Sequence, residues 1–417
     1  MKMKLPFLHK KNTTDEEVLL ALDVGTEFVK AVLFITDEGS TVLKVIGYGK
    51  SRQNISAMKG AMVINIEHVV NACDRAIGEA LSNADSIMTE KMGSEYVTPA
   101  PEKVIIGIAG ELVKGVTIMA DYSREAPDEK IESREIAEVL TSVKEHSFAQ
   151  ALMDISEETG IEAKRLQEVN TKINATYIDG VQVDHPLGMT GENISYRVFS
   201  TFAPSLHVNS LKEIASQLGL EILSIEVEPY AIARAVKEAK KDNFSAVIID
   251  IGGGTTDIAV IEKGSVVATK MFAYGGKVFT KRIASRLRLQ IEDAETTKIE
   301  YSKGTLSEAQ SRAIREMLNN DSLVWARGVE LSLAEIEDID KYPQLFYLCG
   351  GGSELPEMKE VMLEYPWLQS LPFIKHPRIK YLYPNQLEDI EDLTRSVKGP
   401  EDIAPLALAR MYFELEK

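Results

Sequence analysis

The chain has 417 residues, of which 44% are hydrophobic, and a formal net charge of −17. At roughly 100–200 residues per domain this length predicts two to four domains with full cores, and so acidic a surface argues against nucleic-acid binding. No apolar run approaches the roughly 20 residues that cross a bilayer, so we expect a soluble, cytoplasmic protein. The only cysteines, Cys73 and Cys349, lie in apolar surroundings, which favours core positions over a disulfide or zinc site.

The chain begins with a basic stretch. Four lysines alternate with apolar residues within residues 1–12, and no acidic residue precedes Asp15. The stretch is too short and too broken for a secretory signal. Each basic residue near an anionic leaflet contributes about 1 kcal/mol, so one interpretation is a reversible contact with the inner face of the cell membrane. A frayed terminus is the alternative.

Two segments, residues 18–48 and 246–272, share one pattern. The first begins VLLALDVGTEFVKAVLF and the second AVIIDIGGGTTDIAVI, and each continues through a polar turn to another apolar run. In both, a continuous apolar strand ends in an aspartate, Asp23 or Asp250, and a glycine-threonine turn and two further strands follow. Because such runs are typical of strands buried on both faces, the repeat predicts two similar lobes of helix-covered sheet.

The two turns have the composition of phosphate-binding loops. Glycine lets backbone N–H groups approach phosphate oxygens closely, and threonine hydroxyls add donors. The predicted phosphate-binding residues are Gly25, Thr26, Gly252, Gly253, Gly254, Thr255 and Thr256. An aspartate can hold Mg²⁺ through water, so Asp23 and Asp250 are the predicted metal ligands. One such turn alone is more often only a turn, but two facing each other would hold a nucleotide's phosphates between the lobes.

A third glycine cluster follows a short apolar run at residues 346–348. It consists of Gly350, Gly351, Gly352 and Ser353. Glycines there fit a close approach of the backbone to a flat ligand such as a nucleoside. Taken alone, the cluster could equally be the entry turn of a helix.

These three motifs, in this order, resemble the first phosphate, second phosphate and adenosine motifs of the superfamily that joins actin, sugar kinases and the large heat-shock chaperones. The first includes Lys30, in Asp-x-Gly-Thr-x-x-x-Lys. Residues 177–191, 211–235 and 275–298 further resemble the FtsA family of bacterial cell-division proteins. In that family the last stretch, here with Gly275, Gly276, Glu295 and Lys298, lies beside the adenosine and ribose.

The resemblance implies an α/β protein with the actin-like two-lobed fold, that is, duplicated ribonuclease-H-like domains with an FtsA-type inserted subdomain, and ATP and Mg²⁺ as cofactors. The implied organisation comprises a basic tail (1–17), the first lobe core (18–110), the inserted subdomain (111–205), the second lobe core (206–304), a reduced outer subdomain (305–345) and a final part with the adenosine motif and the return to the first lobe (346–417). In the insertion, a stripe of Ile136, Val139, Leu140 and Val143 favours packing over a partner site.

Two regions depart from the FtsA pattern. Residues 305–345 open with a predicted capping box, Thr305 to Glu308, and their spacing predicts a helix rather than a small sheet. The predicted apolar face of that helix is Leu306, Ala309, Ala313 and Met317, and an acidic stretch with Glu337 and Asp338 follows. The family's site for the FtsZ tail lies in this subdomain, so its reduction weakens the case for FtsZ as a partner. At the other end, residues 399–405 open a helix that we expect to finish at Lys417, too acidic for a lipid anchor.

Glu228 stands in the Glu-Pro position that aligns the attacking water in chaperone-like relatives, so it is the predicted catalytic residue. The alternative is a charge at a helix N-terminus. FtsA-like proteins are often slow ATPases, and whether this chain is a weak ATPase or only binds ATP stays open.

Three functions are compatible with the sequence. The first is a membrane-associated adaptor of cell division that stacks head to tail into filaments and contacts the FtsZ tail or another division protein. The second is a type IV pilus assembly platform of the PilM kind. The third is a small-molecule kinase, for which the sequence indicates neither a substrate-binding aspartate nor an acceptor pocket.

Overall fold

The structure, a computed structural model, describes residues 17–59, 61–92, 97–110, 112–183, 185–238, 243–336, 339–373 and 375–415. The basic stretch at residues 1–12 lies outside the described residues, as do Glu337 and Asp338 of the acidic stretch. Within these ranges, no helix combines the length and the apolar character that crossing a membrane requires.

The strands form three larger sheets and one short hairpin. In chain order they are β1 (Leu19–Val24), β2 (Phe28–Thr36), β3 (Leu43–Arg52), β4 (Met58–Lys59), β5 (Met62–Val63), β6 (Lys103–Ile108), β7 (Lys114–Ser123), β8 (Leu166–Ile178), β9 (Val181–Val183), β10 (Asn193–Pro204), β11 (Glu221–Val227), β12 (Ala246–Ile251), β13 (Thr256–Glu262), β14 (Ser265–Phe272), β15 (Leu345–Cys349), β16 (Arg378–Tyr381) and β17 (Ile390–Asp392).

The α-helices connect and cover these sheets. In chain order they are α1 (Ile66–Met92), α2 (Ser133–Thr159), α3 (Ser205–Leu218), α4 (Glu228–Ala235), α5 (Gly276–Leu287), α6 (Ile291–Ser302), α7 (Glu308–Ala334), α8 (Pro356–Glu364) and α9 (Ile403–Arg410). Short 3₁₀ turns, such as Gly351–Glu354 and Met411–Glu414, join some of them.

The two main sheets repeat one topology. The first has the order β11-β6-β1-β2-β3-β17 and the second the order β14-β13-β12-β15-β16. In each, three antiparallel strands form a meander, and two further strands add in parallel on the other side of its first strand. The first strands, β1 and β12, are buried along their whole length. The duplicated order is what the sequence repeat predicts, and it places both glycine turns at the same end of their lobes.

Helix α1 packs directly on the first hairpin. Its alanines at four-residue spacing, including Ala76 and Ala80, are fully buried. On β3, a Cβ added to Gly49 would stand 2.0 Å from the carbonyl oxygen of Ala76, and one added to Gly47 would stand 2.3 Å from that of Ala80. Because only glycine permits so close an approach, these residues fix the hairpin against the helix.

The inserted region is an antiparallel sheet of order β7-β10-β8-β9 with α2 on one side. Ile136 and Val139 pack into an apolar cluster with Tyr196, which agrees with the packing interpretation of the stripe. The sheet also contacts the edge of the second lobe: the Thr117 hydroxyl donates to the Val267 carbonyl oxygen at 2.7 Å, and the Asn174 amide donates to that of Val266 at 2.8 Å. The insertion is therefore tied to strand β14.

Residues 308–334 form the predicted helix, α7, but two details of the prediction are wrong. The cap is Ser307 with Gln310, because the Thr305 hydroxyl donates instead to the Glu300 carbonyl oxygen at the end of α6. The buried face also differs from the predicted one, since Ala309 and Ala313 are exposed. The buried side chains include Ile314, Leu318, Trp325 and Val329. Burying these large side chains removes more apolar area from water than burying two alanines would.

The final helix also ends earlier than predicted. Helix α9 stops at Arg410, and Tyr412, in the following 3₁₀ turn, packs edge-on against Phe34 of β2 with ring centroids 6.0 Å apart. Lys417 lies outside the described residues. Every residue of α9 is buried, in contact with α4, β1, β2 and β6. This helix is therefore part of the first lobe's core rather than a surface element.

Candidate functional site

A cleft of about 1420 Å³, including its open mouth, lies between the two lobes. Both glycine turns, α6 and the third glycine cluster form its walls. The predicted site residues that line it are Asp23, Gly25, Thr26, Lys30, Glu228, Asp250, Gly252, Gly253, Thr255, Gly276, Glu295, Lys298, Gly350, Gly351 and Gly352. Residues from five separate parts of the sequence therefore meet in one cavity.

Four other predicted residues lie behind the cleft wall: Gly254, Thr256, Gly275 and Ser353. The Thr256 hydroxyl donates to the Tyr274 carbonyl oxygen at 2.6 Å and accepts from the indole N–H of Trp325 at 2.9 Å. The Ser353 hydroxyl donates to the Gly350 carbonyl oxygen at 2.7 Å. We assign these hydroxyls a structural role, because their hydrogen bonds hold the turns rather than face the cavity.

The two glycine turns touch across the cleft. A Cβ added to Gly253 would stand 2.7 Å from the Cβ of Glu27, and one added to Gly254 would stand 2.8 Å from the Thr26 hydroxyl oxygen. The start of α5 holds the second turn, since the Gly276 N–H donates to the Gly252 carbonyl oxygen at 2.9 Å. Glycine is required at this contact because any side chain would push the lobes apart.

Four buried carboxyl groups and one lysine form the floor of the cleft. The carboxyl groups are those of Asp23, Glu228, Asp250 and Asp257. The Lys30 ammonium lies 3.3 Å from Asp23 Oδ2 and donates to the Glu401 carbonyl oxygen at 2.6 Å. Burial disfavours its charge, but Asp23 and Asp250 outweigh that effect and raise the pKa of Lys30 above its usual value.

The floor has four carboxyl groups and one lysine, and three of these carboxyl groups have raised pKa values. Burial raises the pKa of Asp250 to about 6, although Lys30 opposes the rise. Burial, with a contribution from Asp250, raises the pKa of Asp257 well above its usual value. The pKa of Glu228 is also well above its usual value because of burial and the nearby charge of Asp23. The floor therefore has more negative charge than Lys30 can balance.

These residues fit a divalent cation bound with phosphates. Asp257 Oδ2 accepts from the Thr255 hydroxyl at 3.0 Å, while its Oδ1 is buried without a hydrogen-bond partner among the described residues. Carboxylate oxygens and water are the ligands that Mg²⁺ prefers, and Asp23 and Asp250 would hold it as predicted. When bound, Mg²⁺ would supply positive charge both to this floor and to the phosphates. Among the described residues, no group of three or more His, Cys, Asp or Glu side chains is arranged to hold a metal ion by itself.

Glu228 is the first residue of α4, and its side chain lines the cleft. Its place at the start of the helix is the one that the charge interpretation expects, and its catalytic role stays a prediction. As a buried group with a raised pKa it holds its proton more tightly than an exposed glutamate. A cation in the cleft would favour the ionised form, which can accept a hydrogen bond from water.

The far end of the cleft is built from α5, α6 and the third glycine cluster. The Lys298 ammonium lies 2.8 Å from Glu295 Oε2 and donates to the Thr280 hydroxyl at 2.9 Å. These bonds fix both side chains at the cleft wall. Gly351 and Gly352 form the opposite wall as the start of a 3₁₀ turn leading into α8. The cluster is thus both a helix entry and a cavity wall, and a flat group could lie between α6 and this turn.

The prediction missed several residues that line the cleft. They include Glu27, Lys50, His207, Asp257, Lys277, Glu354 and Glu401. Asp257 ends the glycine-threonine motif, so its position in the sequence was a usable signal. His207 is buried, and burial lowers its pKa to about 4. Lys50 and Glu401 form an ion pair at 2.5 Å, and nothing in the local sequence indicates that pairing.

Comparison with known proteins gives the family context. The family model of the cell division protein FtsA matches residues 247–401. The FtsA of Neisseria meningitidis is 26% identical over 290 residues, covering 69% of this chain and 62% of that protein. The FtsA of Pseudomonas aeruginosa is 28% identical over 291 residues, covering 69% and 61%. The FtsA of Streptococcus pneumoniae is 24% identical over 397 residues, covering 89% and 77%.

The chain is similar to the cell division protein FtsA. The matches to the first two FtsA proteins span less than two thirds of those proteins' own length. Among solved structures, a chain from a PilM-PilN type IV pilus biogenesis complex has a TM-score of 0.62 and 17% identity, covering 94% of this chain and 97% of that one. The predicted fold class is confirmed, and the FtsA resemblance extends through the second phosphate motif and the third glycine cluster.

Proposed function

We propose that this FtsA-like chain binds ATP with Mg²⁺ between its lobes and acts as an actin-like component of bacterial cell division. The observation that carries the proposal is the pair of glycine turns facing each other across the cleft, above a floor of buried carboxyl groups around Lys30. The backbone N–H groups of the turns would bind phosphates, Asp23 and Asp250 would hold the metal, and α6 with Gly351 and Gly352 would enclose the nucleoside.

Nucleotide binding is the core of this proposal, and Asp250→Asn tests it. The change keeps the shape of the side chain but removes a charge that the metal needs. We expect calorimetry to show Mg²⁺-dependent ATP binding by the parent chain and a loss of about 10- to 100-fold in the variant. Asp74→Asn, at an exposed position on α1, is the matched control and should bind as the parent does. Equal affinity of the parent and Asp250→Asn would refute the assignment of the cleft.

Assembly is the second part of the proposal. An actin-like chain that repeats one head-to-tail contact forms an open filament. With a net charge of −17, stacking in solution is opposed by repulsion, which salt or a surface would reduce. We therefore expect filaments with ATP, most readily on anionic lipid, where the lysines of residues 1–12 would provide a weak tether.

Electron microscopy of lipid monolayers, with full-length protein and with residues 1–12 deleted, checks this expectation. Filaments present only with the full-length chain would support the tether. Equal recruitment of both proteins to the lipid would exclude it, and a lack of ordered assembly with every nucleotide would contradict the filament proposal itself.

A pilus assembly platform is the second candidate function. It is favoured by the fold similarity to a chain from the PilM-PilN complex, which covers nearly all of both chains. It is also favoured by the long helix α7, which forms in residues 305–345 as predicted and departs from the FtsA pattern of a small sheet. Depleting the protein in its own cell separates the two roles. Undivided, elongated cells would indicate division, whereas normal division with loss of surface pili would indicate the pilus role.

A further inference from the structure

Lys277, the second residue of α5, is bonded to both glycine turns. Its backbone N–H donates to the Gly253 carbonyl oxygen of the second turn at 2.8 Å. Its ammonium donates to the Thr26 carbonyl oxygen of the first turn at 2.6 Å and lies 3.3 Å from Glu27 Oε2. Lys277 therefore connects the two lobes at the point where they approach each other, and it also lines the cleft.

Glu27 is held firmly on the first lobe. Its Oε1 accepts from the Arg52 guanidinium at 3.1 Å, and its backbone carbonyl oxygen accepts from the Gln53 N–H at 2.8 Å. The side chains of Lys277 and Glu27 are 29% and 16% exposed, so water screens this pair less than an ordinary surface ion pair. The carboxylate is a fixed anchor for the ammonium of the other lobe.

Other lysines of the cleft have a different arrangement. Lys30 pairs with Asp23, Lys50 with Glu401, and Lys298 with Glu295. The Lys30–Asp23 and Lys298–Glu295 pairs each join elements of one lobe, so these two pairs do not depend on the distance between the lobes. The Lys277–Glu27 contact crosses the cleft, and it breaks if the turns separate.

We propose that Lys277 is an exchangeable phosphate ligand: Glu27 holds its ammonium in the nucleotide-free chain and gives it up to the phosphate chain of a bound nucleotide. The proposal rests on the proposed nucleotide site. A polyphosphate bound by the turns would lie close to Lys277, because Lys277 contacts both turns and lines the same cleft, and its charge exceeds that of one carboxylate. Glu27 and the phosphates then compete for one cation.

Because Glu27 and phosphate compete for Lys277, replacing Lys277 and replacing Glu27 should change nucleotide affinity in opposite directions. Lys277→Gln removes a charge-assisted hydrogen bond to phosphate and should weaken Mg²⁺·ATP binding by about 10-fold or more. Glu27→Gln removes the competitor and should tighten binding severalfold. If the Lys277–Glu27 contact were only a clasp, that is, an ion pair that holds the two lobes together, loss of either residue would weaken Mg²⁺·ATP binding.

Calorimetry on the full chain tests this with four single variants and one double variant. Lys281→Gln, exposed one turn later on α5, and Glu38→Gln, exposed in the turn after β2, make the same charge changes away from the cleft and should leave affinity unchanged. In the Lys277→Gln background, Glu27→Gln should no longer tighten binding, because the cation being competed for is gone. Persistent tightening in that background would show general charge repulsion and overturn the exchange.

A distance measurement in nucleotide-free protein tests the clasp by itself. Spin labels on Asp74→Cys of the first lobe and Ser285→Cys of the second report the separation of the lobes, and the native cysteines are buried. We expect Lys277→Gln and Glu27→Gln each to lengthen and broaden the distance distribution, and Lys281→Gln to leave it unchanged. Unchanged distances in both cleft variants would overturn the clasp. If the parent binds no nucleotide, the exchange fails together with the proposed function, while the clasp is still decided by these distances.

Discussion

Replacing Gly350 with alanine should damage both stability and nucleotide binding, whereas the same change at Gly351 should be tolerated by the fold. Gly350 has a φ of 79°, in the region that favours glycine. A Cβ there would stand 2.0 Å from Asp250 Oδ1 and 2.5 Å from the Ile251 carbonyl oxygen. The backbone cannot move away easily, because the Gly350 N–H donates to the Pro400 carbonyl oxygen at 2.9 Å.

The expected loss of stability for Gly350→Ala is about 3 kcal/mol or more, from backbone strain and the clash combined. Displacement of the Asp250 carboxyl group should also reduce Mg²⁺-dependent ATP binding. At Gly351 the nearest atom to an added Cβ is 3.8 Å away, so Gly351→Ala should change stability by less than about 1 kcal/mol. Denaturant unfolding of both variants checks the difference, and equal stabilities would show that the turn is not as tightly packed as described.

The second large effect is a gain in stability from Asp250→Asn in the absence of nucleotide. The pKa of Asp250 is raised from 3.8 to about 6 in the folded chain, chiefly by burial. Between these two values the folded chain keeps a proton that the unfolded chain has lost, so stability falls as the pH rises through this interval. Above the interval the cost is fully present, about 3 kcal/mol at most. Asparagine does not titrate and avoids it.

We therefore expect Asp250→Asn to be more stable than the parent at pH 7.5, with a gain about 2 kcal/mol larger than at pH 4.5. Denaturant unfolding without nucleotide or metal at the two pH values measures this difference. Asp74→Asn, at an exposed position on α1, is the matched control for the change of side chain. If the variant is less stable than the parent at pH 7.5, the attraction between Lys30 and the Asp250 carboxylate stabilises the folded chain by more than burying that carboxylate costs. The expected pattern is a site that sacrifices stability for metal binding.

The elements that the sequence predicted correctly are those encoded locally. The continuous apolar sequences of β1 and β12 are enough to predict buried strands, and the glycine turns follow them directly in the chain. The order of these hairpins was enough to predict the two lobes. The same motifs line the cleft of the proposed site, because each turn begins where a buried strand ends.

The features that could not be predicted from the sequence depend on contacts between residues far apart in the chain. Thr256 belongs to a phosphate motif, but its hydroxyl is engaged by Trp325 of α7. Lys277 reaches Glu27 only because the lobes close on each other. The register of α7 was mispredicted because its apolar spacing fits two faces, and packing against the second lobe selects the one with Trp325.

The burial of α9 has a consequence for synthesis on the ribosome. The sheet of the first lobe takes strands from residue 19 through Asp392, and α9 completes its core. The sheet of the second lobe lies wholly within residues 246–381. As the chain emerges N-terminus first, five of the six strands of the first sheet are made before residue 246, but β17 and the covering helix α9 follow only after the second sheet is complete. The surface of β1, β2 and β6 that α9 covers therefore stays exposed to aggregation, and dependent on chaperones, until residue 410 has been made.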